Sequence, residues 1–150
     1  MLEYDFENSV TYWVCMTSRA LEQALNEELA PHGITYRQCQ VIGWLALEGD
    51  LSQSQLAERL RVEASTLVGL LDRMEKAGWI RRQPSPKDRR IKLVQPTPQV
   101  KPVWAKITEC GRKVRARASQ GLSEQELSTL RNIMTRMQTN LNFRKDGGNS

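Results

Sequence analysis

Six of the twelve residues from Arg81 to Lys92 are basic (Arg81, Arg82, Lys87, Arg89, Arg90 and Lys92), and one, Asp88, is acidic. That surplus of five equals the net charge of the whole 150-residue chain, so everything outside the segment is electrically balanced. A charge excess held in so short a stretch is an electrostatic footprint aimed at a polyanion. Arginine in such a stretch suits a narrow minor groove, where negative potential is focused. Asp88 would face phosphates there, so it reads best as an internal partner that holds an arginine fork in one orientation. The plainer alternative is a solvated turn with an aspartate of ordinary turn propensity. The candidate contact residues of this segment are Lys87, Asp88, Arg89 and Arg90.

Other chemistries find little support. His32 is the single histidine, there is no Gly-rich phosphate loop, and no G-x-S-x-G occurs. These absences predict a protein that is not an enzyme, has no cofactor and holds no zinc-type metal centre. Cys15, Cys39 and Cys110 are widely spaced and form no C-x-x-C pair, which is neither a disulfide framework nor a zinc spacing. Each sits among apolar residues at helical spacing, so all three are expected to be buried, reduced thiols.

The elements that must position the basic segment follow from periodicity. Residues 8–30 repeat apolar positions at helical intervals, with Val10, Trp13, Val14, Leu21, Ala24, Leu25 and Leu29, and Pro31 and Gly33 end that helix. Thr35 opens a second, short helix that is apolar on most sides and so belongs to the central core. Ser52 and Gln55 form a capping box that starts a third helix. Arg61 and Val62 make a tight connection to a fourth, over about 64–77, which Glu63 caps poorly and Gly78 ends. The period then changes from 3.6 to 2. Trp79–Gln83 and Ile91–Gln95 read as two strands joined by a loop marked by Pro84 and Pro86. Pro96, Pro98 and Pro102 separate this hairpin from a helix with a narrow seam of Val103, Ile107, Cys110 and Val114. A second capping box, Ser123 with Glu126, starts a last helix whose Leu127, Leu130, Met134, Met137 and Leu141 repeat at 3 and 4, the pattern of helices packed lengthwise on a partner.

Two short helices joined tightly, followed by a hairpin with a basic tip, predict a mainly α fold with a winged helix-turn-helix core. The second helix of such a pair lies in the major groove of DNA, and the first crosses the backbone. The groove is about 12 Å wide and a helix with side chains about 10–12 Å across. If Leu67, Leu71 and Met74 point inward, the opposite face offers Ser65, Thr66, Gly69, Asp72, Arg73 and Lys76. Small residues early in the helix let the backbone approach base edges. Gly69, which costs about 1 kcal/mol in a helix interior, makes sense if DNA comes close there. Ser65, Thr66, Gly69 and Arg73 are thus the candidate recognition-helix contacts, and Ser52, Gln53 and Ser54 the candidate contacts at the start of the third helix.

Leu56-Ala57-Glu58-Arg59-Leu60, the run Leu70-Leu71-Asp72-Arg73-Met74-Glu75-Lys76-Ala77-Gly78-Trp79-Ile80, and Asp88-Arg89-Arg90 with Leu93 following resemble the MarR family of bacterial transcriptional regulators. The resemblance covers nearly the whole chain, and its most specific part is the order helix, Gly, strand, D-x-R tip, strand. It implies an obligate homodimer whose first and last two helices intertwine, most members being repressors. It further implies that Arg90 enters the minor groove, that Asp88 orients it, and that Arg89 touches phosphate or its surroundings. One departure is visible. Where the family often has Leu-Thr-x-x-Gly after the second strand, this chain has Val94-Gln95-Pro96-Thr97-Pro98-Gln99, which bears on the angle into the fifth helix and on the spacing between two wings.

The residues lead to a dimer independently. The terminal regions each carry a one-sided apolar seam that a monomer would leave wet. Residues 1–31 hold six acids and one base, and residues 101–117 six bases and one acid, so contacts between them are complementary. Dimerisation helices at 1–31 and 101–143, a winged helix-turn-helix core at 35–97 and a flexible tail at 144–150 make one MarR-type domain. Two copies set their recognition helices about one turn of DNA apart, which predicts a palindromic operator. The family resemblance also implies a small, often phenolic effector bound between the dimer helices and the winged core. Tyr12, Trp13, Met16, Tyr36 and Trp44 are the candidate lining, although an aromatic set of this kind is more often core. A subclass senses hydroperoxides with a cysteine near the start of the first helix. That position falls near Thr11 here, a turn from Cys15, so a redox-sensing regulator is one alternative. A winged-helix module that docks on an acidic protein is the other. No stretch approaches the apolar length a spanning helix needs, and MLEYDFENS lacks the features of a signal peptide. A soluble cytoplasmic protein is expected.

Overall fold

The computed structural model describes residues 3–142. Six α-helices and a small antiparallel sheet follow in the order α1 (Val10–Leu29), α2 (Tyr36–Glu48), β1 (Leu51–Ser52), α3 (Gln53–Leu60), α4 (Ala64–Lys76), β2 (Ile80–Pro84), β3 (Lys92–Pro96), α5 (Lys101–Ala118) and α6 (Glu124–Asn140). The mainly α winged-helix fold expected from the sequence is the fold observed. The chain divides between Val114 and Arg115 into two compact units. The expected tail at 144–150, and residue 143 of the expected dimerisation region, lie outside the described residues.

In the first unit, local chemistry sets the helix starts. The Thr35 hydroxyl accepts from the backbone of Gln38 while the Gln38 side chain accepts from the backbone of Thr35, and Ser52 and Gln55 repeat the arrangement at 3.1 and 2.8 Å. Arg61, in the left-handed region at φ 51°, makes the turn between α3 and α4. Glu63 provides no side-chain cap for α4, as its type foretells. Gly78, at φ 76°, takes the chain out of α4 in a conformation that a side chain would oppose. Leu56 and Leu60 of α3, Leu67, Leu70, Leu71 and Met74 of α4, and Cys39, Val41, Ile42 and Leu45 of α2 bury one continuous core.

The sheet differs from expectation in three ways. Both long strands begin one residue later than the period suggests, because Ile80, not Trp79, is the buried residue that pairs across to Pro96. Pro84 does not belong to the loop. It closes β2 opposite Lys92, which an edge strand permits because no further strand needs its missing N–H. A third strand, β1, pairs on the far side of β3, with Leu51 against Val94 and Ser52 against Leu93. The strand order β1-β3-β2 therefore fastens the start of α3 to the hairpin.

The seam of α5 is not left for a partner. Ile107 and Cys110 are buried in the same core as Leu29 and Cys39, and Val114 is buried too. The Cys110 thiol donates to the Glu28 carbonyl at 3.4 Å, and Lys113 lies 3.8 Å from the Glu28 carboxylate. Part of the complementarity between the acidic N-terminal and basic C-terminal regions is thus satisfied within one chain.

Helix α1 behaves otherwise. Only Leu29 of it is buried, while Val10, Trp13, Met16 and Leu21 are exposed. Cys15 lies on this uncovered stretch and is exposed, so the expectation of three buried thiols holds only for Cys39 and Cys110. Helical spacing of apolar neighbours identified a seam but not what, within the chain, would cover it.

The second unit consists of the end of α5 and of α6. The Ser123–Glu126 capping box forms as expected. No residue of α6 is buried, and Leu130, Ile133 and the following Leu141 are exposed.

Candidate nucleic-acid interface

Helix α4 turns Leu67, Leu70, Leu71 and Met74 inward, so its opposite face is fixed by the helical period. Ser65, Thr66, Asp72, Arg73 and Lys76 are exposed on it, and Gly69 is half-exposed. A Cβ added at Gly69 would meet only the Arg73 Nη1, at 3.8 Å. Packing does not require glycine there, in keeping with a surface that must be approached closely. Val68 is also exposed on this face, an apolar residue that the sequence reading passed over.

The hairpin tip is held by its own backbone and by two short side chains. Ser85 N–H donates to the Ile91 carbonyl at 2.7 Å, and Ile91 N–H to the Asp88 carbonyl at 3.0 Å. The Ser85 hydroxyl accepts from Lys87 N–H. Asp88 Oδ1 accepts from the Arg90 backbone N–H at 3.0 Å and from Nε at 3.2 Å, and Oδ2 accepts from Nη2 at 3.3 Å. These hydrogen bonds hold the Asp88 carboxyl below its ordinary range, the Arg90 side chain contributing most. The Arg90 side chain nevertheless stays 92% exposed. Asp88 therefore fixes the arginine fork without covering it, the geometry expected of an oriented cation.

Not every cation of the segment points outward. Arg82 binds the α4 carboxylates, with Nη2 2.5 Å from Glu75 Oε2 and 2.7 Å from Asp72 Oδ1, and its backbone N–H donates to Glu75 Oε1 at 2.9 Å. Hydrogen bonding from Arg82 pulls the Glu75 carboxyl below its ordinary value and raises the guanidinium's own. Arg81 donates to Gln95 across the hairpin, and Gln95 donates to Asp50. Arg81, Lys87, Arg89, Arg90 and Lys92 are exposed, and Arg82 is the half-buried cation of the segment. The pairing also explains Asp72, a carboxylate on an otherwise suitable DNA face, because Arg82 neutralises it.

A cleft of about 420 Å³ brings the parts together. Ser52, Gln53 and Ser54 from the start of α3, Val68 from α4, and Arg82, Arg90, Ile91 and Lys92 from the hairpin line it. Of the candidate contacts the cleft holds Ser52, Gln53, Ser54 and Arg90, whereas Ser65, Thr66, Gly69 and Arg73 of α4 and Lys87, Asp88 and Arg89 of the hairpin are not in its lining; β1 joins the start of α3 to the hairpin.

Of the five candidate effector residues, Tyr36 lines a cleft, and the others have these surroundings. Tyr12 and Trp13 join Phe6 in an edge-to-face chain, and Trp13 Nε1 donates to the Glu7 carbonyl. Met16 is exposed. Trp44 lies under the Arg59 guanidinium, 5.7 Å from ring centre, and Glu48 holds that arginine. Tyr36 lines a polar cleft of about 590 Å³ with Arg19, Glu22, Gln23, Asn26, Thr35 and Arg37. Burial, then the Glu22 charge, raises the Tyr36 hydroxyl above its ordinary value. Among the described residues no cluster of three or more His, Cys, Asp or Glu could hold a metal ion, and no helix is long and apolar enough to cross a membrane.

A helix pair carrying a polar outer face, joined to a hairpin with an exposed arginine fork, defines a winged helix-turn-helix protein of the DNA-binding class. Residues 32–91 match the model of the MarR family. The apo form of MarR from E. coli has a similar structure, with a TM-score of 0.78 and 24% identity over 91% of this chain and 98% of that chain. A cysteine-to-serine variant of the same protein, complexed with operator DNA, matches at a TM-score of 0.69 and 26% identity over 85% and 92%. CouR from Rhodococcus jostii, bound to p-coumaroyl-CoA, matches at 0.74 and 20% over 90% and 95%. Over residues 32–91 the chain is similar to the MarR family, and it shares the fold of these solved regulators.

Proposed function

We propose that this chain is a transcriptional regulator of the MarR family that binds duplex DNA as a homodimer at a palindromic operator, represses transcription there, and is released by a small ligand. The carrying observation is the Arg90 fork, held by Asp88 and exposed beside the start of α3 and the outer face of α4. Arg90 enters the minor groove, Lys87 and Arg89 meet phosphates, and Ser65, Thr66, Gly69 and Arg73 meet base edges. Ser52, Gln53 and Ser54 bind backbone phosphates where the N–H groups of α3 begin. The MarR variant complexed with operator DNA supports this reading.

Dimerisation uses the uncovered apolar side chains of α1 and α6, whereas the α5 seam serves the protomer's own core. The effector enters the cleft at Tyr36. Arg37 Nη1 donates to the Leu60 carbonyl at 3.2 Å, at the end of α3. A ligand acid that draws Arg37 away loosens the turn carrying α4. CouR bound to p-coumaroyl-CoA supports a regulator of this fold taking an aromatic acyl ligand. A second reading, redox sensing, is favoured by one observation, the exposure of Cys15.

The test is affinity for duplex DNA against salt. Binding falls with a log-log slope near −0.9 for each neutralised phosphate. A module that docks on an acidic protein gives no DNA complex even at low salt. Sedimentation tests the dimer: Ile133→Asp places a charge on the uncovered face of α6 and shifts the chain to monomer.

A further inference from the structure

The outer face of α4 carries one exposed large hydrophobic residue. Val68 stands among Ser65, Thr66, Asp72 and Arg73 with 39% of its surface exposed, while Leu67, Leu70 and Leu71 beside it are buried. The exposed part of its side chain gains nothing from the protomer's own core. Two further observations give it a partner. Gly69, the next residue, leaves the helix surface low, and only the end of the Arg73 side chain lies within 4 Å of where its Cβ would be. A flat, edge-on surface can therefore descend onto Val68 without meeting a side chain at 69. In addition, Val68 lines the same cleft as Ser52, Gln53, Ser54, Arg90 and Lys92, so it faces the side from which a polyanion approaches.

The major groove of DNA offers one apolar group, the 5-methyl of thymine, among its hydrogen-bonding edges. We propose that Val68 packs on a thymine 5-methyl group and is a specificity-determining residue of this regulator. The inference rests on the DNA-binding reading above and adds the base that one position of each half-site must carry. Ile91, beside Arg90 at the tip end of the hairpin, is the other apolar side chain lining the cleft and the natural control.

The experiment uses the full chain and duplexes selected by it from random DNA. Each thymine is replaced in turn by deoxyuridine, which lacks only the methyl group, and affinity is read by fluorescence anisotropy at one salt concentration. One position per half-site should lose about fourfold with the wild-type chain, the factor for one buried methyl-sized group. Val68→Ala, which removes the contact in both protomers, should bind the thymine duplex more weakly by about the square of that factor and be indifferent to deoxyuridine there. Ile91→Ala should keep the full methyl dependence. A deoxyuridine effect that survives Val68→Ala, or that vanishes in Ile91→Ala alone, overturns the assignment. So does a selected duplex in which every thymine can be replaced without loss. Failure to select any duplex overturns this inference together with the DNA-binding reading, whereas the other failures leave that reading intact.

Discussion

Arg82 grips Glu75 with three donors, its backbone N–H on Oε1 at 2.9 Å and Nε and Nη2 on Oε2 at 3.1 and 2.5 Å. The pair ties the first residues of β2 to the last turn of α4, so the hairpin leaves the helix at a fixed angle. Asp72 takes a further bond from the same Nη2. Hydrogen bonds to charged groups are stronger than neutral ones, but Glu75 is more than a third exposed and solvent weakens them. Arg82→Ala should therefore cost about 1 kcal/mol of stability, measured by urea unfolding at neutral pH.

The same pair predicts a pH dependence with a definite sign. The folded chain holds the Glu75 carboxyl below its ordinary 4.5, mainly through the Arg82 side chain. A depressed carboxyl binds its proton less readily folded than unfolded, so its contribution is complete above the ordinary value and fades as pH falls through the lower one. Glu75→Gln should thus be less stable than wild type at pH 7, and the two should converge in acid. A gap that stays constant down to the acid transition would contradict this.

Asp88 offers a prediction in which two effects oppose. On charge alone, removing an acid from a DNA-facing tip should raise affinity. If Asp88 instead fixes the Arg90 fork, Asp88→Ala should lower it severalfold, less than Arg90→Ala, which should lose about tenfold or more. Both side chains are solvent-accessible, so thermal melting should stay unchanged. Anisotropy with one duplex at one salt concentration decides the sign.

The thiols should divide two to one. Burial raises the Cys39 and Cys110 thiols above their ordinary value, and each stays protonated and shielded at neutral pH. Cys15 should react first with a thiol reagent in the native protein. Cys15→Ser should abolish the fast native labelling, with the remaining two thiols reacting only after denaturation.

What the sequence disclosed, and what it did not, follows from how far apart the determining groups lie. The Ser52–Gln55 and Ser123–Glu126 boxes act over three residues, so their types alone place the helix starts. Asp88 and Arg90 are two residues apart, and their pairing was equally legible. Leu51 and Ser52 carry no period of their own; only their partners Val94 and Leu93, forty residues on, make them a strand. The Arg82 pairing lies between these extremes, since its charge looked like part of the cationic surplus until the fold set Glu75 beside it. The α5 seam and the exposed α1 were opposite outcomes of the same pattern. Spacing identifies an apolar face, but the covering neighbour is a long-range fact.

Because β3 is bonded along both edges, by β1 on one side and β2 on the other, the residues between Pro84 and Lys92 are the stretch of the hairpin that lies outside the strand pairing. Insertions there would carry the arginine farther along a duplex while the helix that reads bases kept its seat. Reach and sequence choice can then evolve separately, each by small local edits, in a scaffold that otherwise stays the same.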